Sequence, residues 1–376
     1  MELLVNTPRK AAMSSSVLKH PRKSRPALHG EGVILGVDTH KDVHVAAILT
    51  ITGVLLATHS FPTTRDGYAA TLEWVHRFGD VNAAGIECTG SYGSALMKYL
   101  QTQNVKVFEV NQPDRALRRK AGKTDAVDAE AAARAVIAGR SLATPKTGIG
   151  AAEDLRQMRL VKSSAVKART TAINQLKGLV VGAEPALRDQ LRGLSTKALS
   201  RACALLLPST VERMLMSELA TRIYHLTEQL RRLETAMTRT VTACAPELLD
   251  RPGVGYDSAA ALLIAVGDNP ERMKNEAAFA ALCGVSPVEF SSGKTTKRRL
   301  NRGGNRQANA ALYRIVLTRL RWDETTQNYL QNRTAQGKSK RDVIRCLKRY
   351  LAREIFTILK TIPDQHKNPA QHELTT

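Results

Sequence analysis

The hydrophobic pattern of this 376-residue chain changes near residue 145, and that change dictates the class of fold. Before it, short apolar runs at residues 33–37, 43–49 and 54–61 are separated by polar or turn residues, which predicts a meander of three β-strands. Alternating helix and strand patterns follow. Beyond residue 145 apolar residues recur at helical spacing instead. The sequence therefore predicts a layered α/β domain followed by a mostly α-helical remainder.

The elements after the meander have a characteristic order. We predict a helix at residues 65–78, a strand at 83–88, a helix at 91–101 and a strand at 105–110, and Pro113 opens a further helix, a position that proline favours. The order β-β-β-α-β-α-β is that of a ribonuclease-H-like domain, although other α/β folds share it.

Two long helices are predicted in the middle of the chain, at residues 151–181 and 217–242. An apolar seam on each favours an antiparallel or dimeric coiled coil, with a plain bundle of linker helices as the alternative. The seam residues are Leu155, Val166, Ile173 and Leu176 in the first helix, and Leu219, Ile223, Leu226, Leu230 and Leu233 in the second. A glycine hairpin at residues 252–255 precedes a helix at 258–266, and it either binds phosphate or is an ordinary tight turn.

The formal net charge is +22, from 56 Lys and Arg against 34 Asp and Glu. A charge of this size concerns the partners of a protein rather than its fold, and nucleic acid is the first candidate. Sixteen basic residues against three acids lie between Lys294 and Arg349, too unbalanced for an ordinary solvated face. No long apolar run could anchor a membrane, and the five cysteines lack the CxxC spacing of zinc fingers or redox motifs. Scattered cysteines of this kind predict a cytoplasmic protein.

Four carboxylates stand out by their places in the pattern. Asp38 and Glu87 end predicted strands, and Asp125 and Asp128 share one face of a predicted helix through their i, i+3 spacing. A convergent cluster of carboxylates repels itself unless a cation binds, and oxygen ligands suit Mg²⁺ or Mn²⁺. Taken singly, each acid has a simpler explanation as a turn residue, a surface acid or, for Asp125, a helix N-cap.

The sequence around these acids carries a resemblance. Residues 36–44, 87–93, 111–113 and 123–129 resemble the DEDD transposases of the insertion-sequence-one-hundred-and-ten family, relatives of the Piv-type invertases. The resemblance implies that the first domain has the fold of the RuvC Holliday-junction resolvase. It also implies that Asp38, Glu87, Asp125 and Asp128 are the catalytic, metal-binding acids, with His40 and Asp42 in supporting roles at most.

A second resemblance covers residues 281–287, 290–294 and 302–306, which are similar to the C-terminal domain of the same family. In that family a serine before a glycine is the nucleophile, which implies Ser292 here, with Ser291 as runner-up and Ser286 as a weaker candidate. A serine hydroxyl is a weak nucleophile that needs activation, and no histidine lies nearby in the sequence. The predicted nucleic-acid contacts are Lys294, Lys297, Arg298, Arg299, Arg302 and Arg306. Residues 302–305 read Arg-Gly-Gly-Asn where relatives often carry Lys-Arg-Gly-Asn.

These observations predict a bacterial, nucleoid-associated DNA transposase or site-specific recombinase that uses Mg²⁺ or Mn²⁺ and a serine nucleophile. The resemblance implies donor and target DNA, a structured bridge RNA as guide, and a homodimer or tetramer as partners. The alternatives are a resolvase-like metal-dependent nuclease and a nucleic-acid-binding protein without activity. The expected parts are a flexible basic arm (1–31), a RuvC-like domain (32–145), a helical coiled-coil linker (146–245), a serine transposase domain (246–362) and a polar tail (363–376).

Overall fold

The computed structural model describes residues 32–110, 124–140, 143–292 and 298–362. They form two compact units. The first contains the described residues of Met1–Cys88 and Tyr99–Leu142, and the second contains those of Thr89–Lys98 and Ala143–Thr376. No helix in the described ranges is both long and apolar enough to cross a lipid bilayer.

A five-stranded sheet organises the first unit. Its strands are β1 (Gly32–Thr39), β2 (Val43–Thr50), β3 (Leu55–Pro62), β4 (Asp80–Glu87) and β5 (Val107–Val110), in the spatial order β3-β2-β1-β4-β5. β1 pairs antiparallel with β2, and β2 with β3, which confirms the predicted meander; β1–β4 and β4–β5 are parallel. Helix α1 (Arg65–His76) precedes β4, and α2 (Ser94–Thr102) precedes β5. The helix predicted from Pro113 lies outside the described residues. The mixed sheet is consistent with a ribonuclease-H-like α/β domain.

The alanine-rich helix α3 (Asp125–Ile137) lies directly on this sheet. A Cβ added at Gly36 of β1 would meet the carbonyl oxygen of Ala129 and would lie 2.5 Å from the backbone nitrogen of Ala133. The close approach buries an apolar layer formed by Ile34, Ala47, Leu49, Ala83, Phe108, Val110, Ala129, Ala132, Ala133 and Val136. Small residues on both surfaces therefore set the distance between α3 and the sheet.

Gly36→Ala should destabilise the first unit. The methyl group meets helix backbone, which cannot rotate away as a side chain can, so we expect a loss of about 1–3 kcal/mol from overpacking. The matched control is Gly178→Ala in the second unit, where no atom lies within 4 Å of an added Cβ. Because glycine inside a helix is about 0.5–1 kcal/mol less favourable than alanine, the control should be neutral or stabilising. Urea-induced unfolding followed by circular dichroism measures both; equal midpoints would contradict the packing argument.

The second unit is helical and begins with two long helices, α4 (Ala151–Gly182) and α7 (Val211–Cys244), joined by α5 (Pro185–Leu191) and α6 (Thr196–Ala204). Leu155 of α4 packs with Met237 of α7, whereas Leu176 packs with Met216, so the two long helices run antiparallel. The predicted seam is only partly right. Val166 is 39% exposed, whereas its neighbour Ala165 is buried at 4%, so the buried face of α4 is rotated by one residue from the predicted seam at this level.

The C-terminal helices surround the buried helix α9 (Tyr256–Val266), which follows the short α8 (Pro246–Leu249). The remaining elements are α10 (Glu276–Leu282), β6 (Val288–Glu289), β7 (Arg298–Arg299), α11 (Arg306–Trp322), α12 (Glu324–Ala335) and α13 (Lys340–Thr361). Asn305 caps α11 by accepting hydrogen bonds from the backbone N–H groups of Gln307 and Ala308, at 2.9 and 3.0 Å. An apolar stripe of α11, formed by Ala308, Ala311, Leu312, Ile315 and Val316, is buried.

Candidate functional site

Two of the predicted acids lie at the same edge of the sheet. The parallel register of β1 and β4 ends with Val37 opposite Ile86, so Asp38 and Glu87 are the next residues on neighbouring strands. The hydroxyl of Thr39 donates a hydrogen bond to the backbone oxygen of Glu87 at 3.1 Å, which ties the two strand ends together. Asp38 is only 8% exposed.

The other two acids lie in the first turn of α3. Thr124 is the N-cap of this helix, and its hydroxyl accepts a hydrogen bond from the backbone N–H of Val127 at 3.3 Å. The N-cap alternative for Asp125 is therefore wrong, because Asp125 is the first helical residue. Asp125 is exposed, and Asp128 is buried. Both carboxylates lie where the helix macrodipole favours negative charge.

His40 links the strand end to the helix. Its Nε2 atom lies 3.2 Å from an oxygen of Asp38 and 3.4 Å from an oxygen of Asp125. These three side chains can present ligand atoms that all lie within 4.8 Å of one another, while Glu87 and Asp128 are outside this group of three. From the sequence, a supporting role at most was expected for His40. Its i, i+2 spacing from Asp38 at the end of an extended strand was the signal available.

The charges in this cluster oppose one another. Burial raises the pKa of the Asp38 carboxyl above its ordinary value; His40 lowers it, and the nearby carboxylates of Asp128 and Asp125 raise it again. A buried carboxylate beside other carboxylates is stabilised by a proton or a cation. Two carboxylates and an imidazole are suitable ligands for a divalent metal ion, and the donor set therefore fits such an ion.

The predicted nucleophile lies in a hairpin of the second unit. Strands β6 and β7 pair with Val288 opposite Arg299, and the segment between them contains both candidate serines, Ser291 and Ser292, which are exposed. Phe290 is exposed too, and the guanidinium of Arg299 lies 5.6 Å from its ring centre. Of the predicted nucleic-acid contacts, Arg299, Arg302 and Arg306 are exposed, whereas Lys294, Lys297 and the side chain of Arg298 lie outside the described part of the chain.

Two glycine-containing segments pack together beside this hairpin. A Cβ at Gly304 would meet the backbone nitrogen and Cα of Gly284, so neither segment could approach the other with larger residues. The backbone N–H of Asn305 donates to the carbonyl of Leu282 at 2.6 Å. The amide of Asn301 donates to the hydroxyl of Ser286 at 3.4 Å, so this weaker nucleophile candidate is held by a side chain of its own unit.

The charge at the N-terminus of α9, next to the glycine hairpin 252–255, is matched by protein groups. Asp257 in its first turn lies 3.4–3.5 Å from three basic side chains on two helices, Arg159 and Lys162 of α4 and Arg314 of α11. The guanidinium of Arg319 also donates to the carbonyl of Pro252 at 2.8 Å. Such a hairpin needs no bound phosphate, and the geometry favours the tight-turn interpretation.

Comparison with known proteins gives three matches. A family model for DEDD transposases of IS110 type, described as a transposase, matches residues 35–185. A second model, described as the transposase of the IS116/IS110/IS902 family, matches residues 245–331. A Streptomyces coelicolor protein named "Insertion element IS110 uncharacterized 43.6 kDa protein" is 29% identical over 150 residues, which are 39% of this chain and 37% of that protein. The first match contains the four acids, and the second contains both serines.

Proposed function

This chain belongs to the IS110 family of transposases, and from that membership we propose that it cuts and rejoins DNA during the movement of a mobile element. One observation carries the proposal. The two family models cover the acidic cluster and the serine hairpin separately, so both candidate halves of a recombination site occur in one chain. The aligned stretch covers little more than a third of the Streptomyces relative.

The acidic unit, which we assign a RuvC-like fold, is proposed to bind Mg²⁺ or Mn²⁺. Asp38 and Asp125 would hold the ion together with Glu87 on the adjacent strand and Asp128 on the same helix turn, and His40 would complete its surroundings. When bound, the ion supplies positive charge for a phosphodiester. The residues themselves fix the position of the ion, because the strand ends and the helix N-terminus hold the carboxylates on a rigid scaffold.

Ser292 is proposed as the nucleophile. Its Oγ forms a bond to the phosphorus of a DNA phosphodiester, the bond from phosphorus to the 3′-oxygen breaks, and the serine proton balances the 3′-hydroxyl that leaves. Rejoining is the reverse reaction with a different 3′-hydroxyl, so the phosphoserine link conserves the bond energy. Exposure of Ser292 and the cationic residues of the same hairpin support the role.

The remaining assignments follow the family. We propose donor and target DNA as substrates and a structured bridge RNA as guide, both compatible with the charge of +22. Exchange of two strands in each of two duplexes requires several copies of the chain. A dimer or tetramer held by the helices of residues 146–245, acting as a coiled coil, would supply them. Residues 246–362 would form the serine transposase domain.

Strand exchange between two DNA duplexes tests the function. Protein purified with its bound nucleic acid should transfer strands between a donor and a target chosen by sequencing that nucleic acid. Exchange should stop when EDTA removes divalent metal and resume on addition of Mg²⁺ or Mn²⁺. Cleavage without rejoining, and without any protein–DNA link, would favour a resolvase-like nuclease. Binding of DNA without cleavage would favour a nucleic-acid-binding protein without enzymatic activity.

A further inference from the structure

A cavity of about 440 Å³ lies in the second unit beside the serine hairpin. Residues 284–287 form one wall, residues 299–301 a second, and helix α13 with the end of α12 a third. Pockets of this size bind small molecules or single groups of larger ones, and a nucleic-acid duplex is too wide to enter.

The cavity is strongly cationic. Its lining contains one carboxylate, Asp342, and six basic side chains: Arg299, Arg333, Lys338, Arg345, Lys348 and Arg349. Two of the six are neutralised by protein groups, since Arg345 lies 2.6 Å from Asp342 and Arg349 pairs with Glu276. Among the described residues, the other four have no carboxylate within salt-bridge distance. The lining thus has an excess of positive charge that a bound anion would balance.

Among these four basic residues, Lys348 gives the strongest indication of an anion site. Its ammonium is partly buried, and its hydrogen-bond partner is neutral, the amide oxygen of Asn309 at 2.9 Å. The amide nitrogen of Asn309 donates in turn to the carbonyls of Cys283 and Gly284, at 2.8 and 3.2 Å, which fixes Asn309 and so the lysine. Burial, with a smaller contribution from Arg345, lowers the pKa of Lys348 below its ordinary value. Because burial disfavours the charged form of the ammonium, a bound anion would stabilise that form.

An aromatic side chain completes the lining. Tyr350 lies on the same helix as Lys348, and its side chain is about half exposed. Its ring packs edge-to-face against Tyr329, with the ring centres 5.7 Å apart. Cations beside an exposed aromatic ring are the combination that holds unpaired nucleotides, because the phosphate takes the charge and the base stacks. An acidic peptide would use the cations and leave the ring without a role.

We propose that this cavity binds one unpaired nucleotide of a nucleic-acid strand, with the phosphate on Lys348, Lys338 and Arg333 and the base beside Tyr350. The inference deepens the proposed function and rests on it in taking nucleic acid as the ligand. In this role the second unit binds a single strand next to the hairpin that carries Ser292.

Lys348→Met in the full chain tests the proposal, with Lys360→Met as the matched control. Lys360 lies on the same helix, is exposed and does not line the cavity, so both variants lose one charge. Fluorescence anisotropy with a labelled, mixed-sequence single-stranded DNA, and with RNA of the same sequence, measures affinity. We expect Lys348→Met to weaken binding about tenfold or more and to lower the slope of log affinity against log salt by about one. Lys360→Met should change affinity less than about twofold.

Two further variants test the same cavity in case Lys348→Met does not fold. Lys338 is exposed, so Lys338→Met cannot disturb the core and should also weaken single-strand binding. Tyr350→Leu should weaken binding to single strands about fivefold or more, the scale of one stacked base, and leave duplex binding nearly unchanged. The larger drop on the DNA or on the RNA arm identifies which strand uses the cavity.

Three outcomes would overturn the proposal. The first is an equal loss of single-strand affinity in Lys348→Met and Lys360→Met while wild-type protein still recombines DNA. This result rejects the cavity as a binding site and keeps the proposed function. The second is an equal effect of Lys348→Met on binding of a glutamate-rich peptide, which makes the cavity a general anion site. The third is wild-type protein that binds no nucleic acid at low salt, a result that rejects the proposed function as well.

Discussion

Ser292→Ala should abolish strand exchange and remove the covalent link between protein and DNA. A serine that attacks phosphorus leaves its oxygen bonded to the DNA, and an alanine has no atom with which to form that bond. Removal of a nucleophile reduces turnover by about a thousandfold or more. Wild-type protein trapped on a nicked substrate should carry labelled DNA through denaturing electrophoresis, and the variant should carry none. DNA binding should be retained, because phosphate contacts dominate such an interface.

Ser291→Ala is the matched control, since both serines are exposed in the same hairpin. It should form the adduct at a rate within a few-fold of wild type. If Ser291→Ala is the inactive variant, the assignment moves by one residue and the serine mechanism stands. If both alanine variants still cleave DNA and the aspartate variants do not, the serine mechanism is wrong and the nuclease interpretation replaces it.

Asp38→Asn should eliminate metal-dependent recombination while leaving the first unit folded. Asp38 is the buried member of the Asp38–His40–Asp125 group, and its carboxylate lies near those of Asp125 and Asp128. Loss of a group that merely orients a metal ligand costs about 10–100-fold, so loss of a ligand should cost at least about 100-fold. Strand-exchange rates measure the loss, and isothermal titration with Mn²⁺ should show that the binding heat disappears. Thermal stability without metal should not fall, because the change removes a buried charge from among like charges.

Glu130→Gln provides the control for the aspartate variants. Glu130 is an acid on the same helix as Asp125, but its carboxylate pairs with Arg134 at 2.6 Å instead of joining the cluster. Activity and Mn²⁺ binding should remain within about threefold of wild type. Asp125→Asn should resemble Asp38→Asn. A fully active Asp125→Asn variant would show that the strand end and the helix do not share one metal site.

Local patterning was sufficient for the elements themselves. Alternation and turn residues predicted the meander within a residue or two of β1, β2 and β3, because strand pairing in a meander involves neighbours in sequence. Helical periodicity placed both long helices for the same reason. The acids could be located at strand ends and on one helix face, since these are positions along the chain.

Packing at close range was not accessible to the same reasoning. On α4 the buried residue is Ala165, where periodicity indicated Val166. Asp125 and Asp128 share one face by spacing, yet one is exposed and the other buried, since the sheet beneath α3 covers only part of that face. Burial depends on the partner surface, which no local pattern contains.

The amino-acid pattern alone was enough to predict the order of elements and to single out the four acids and the serine as candidates, and it contains the large positive charge. Which of these groups meet depends on tertiary packing. Sheet register and the docking of α3 brought His40 between Asp38 and Asp125. Packing of α13 against residues far away in sequence put Lys348 beneath the turn at Gly284. Periodicity reports the environment of one element at a time, whereas these contacts join residues up to 85 positions apart, and their geometry is set by how the elements pack.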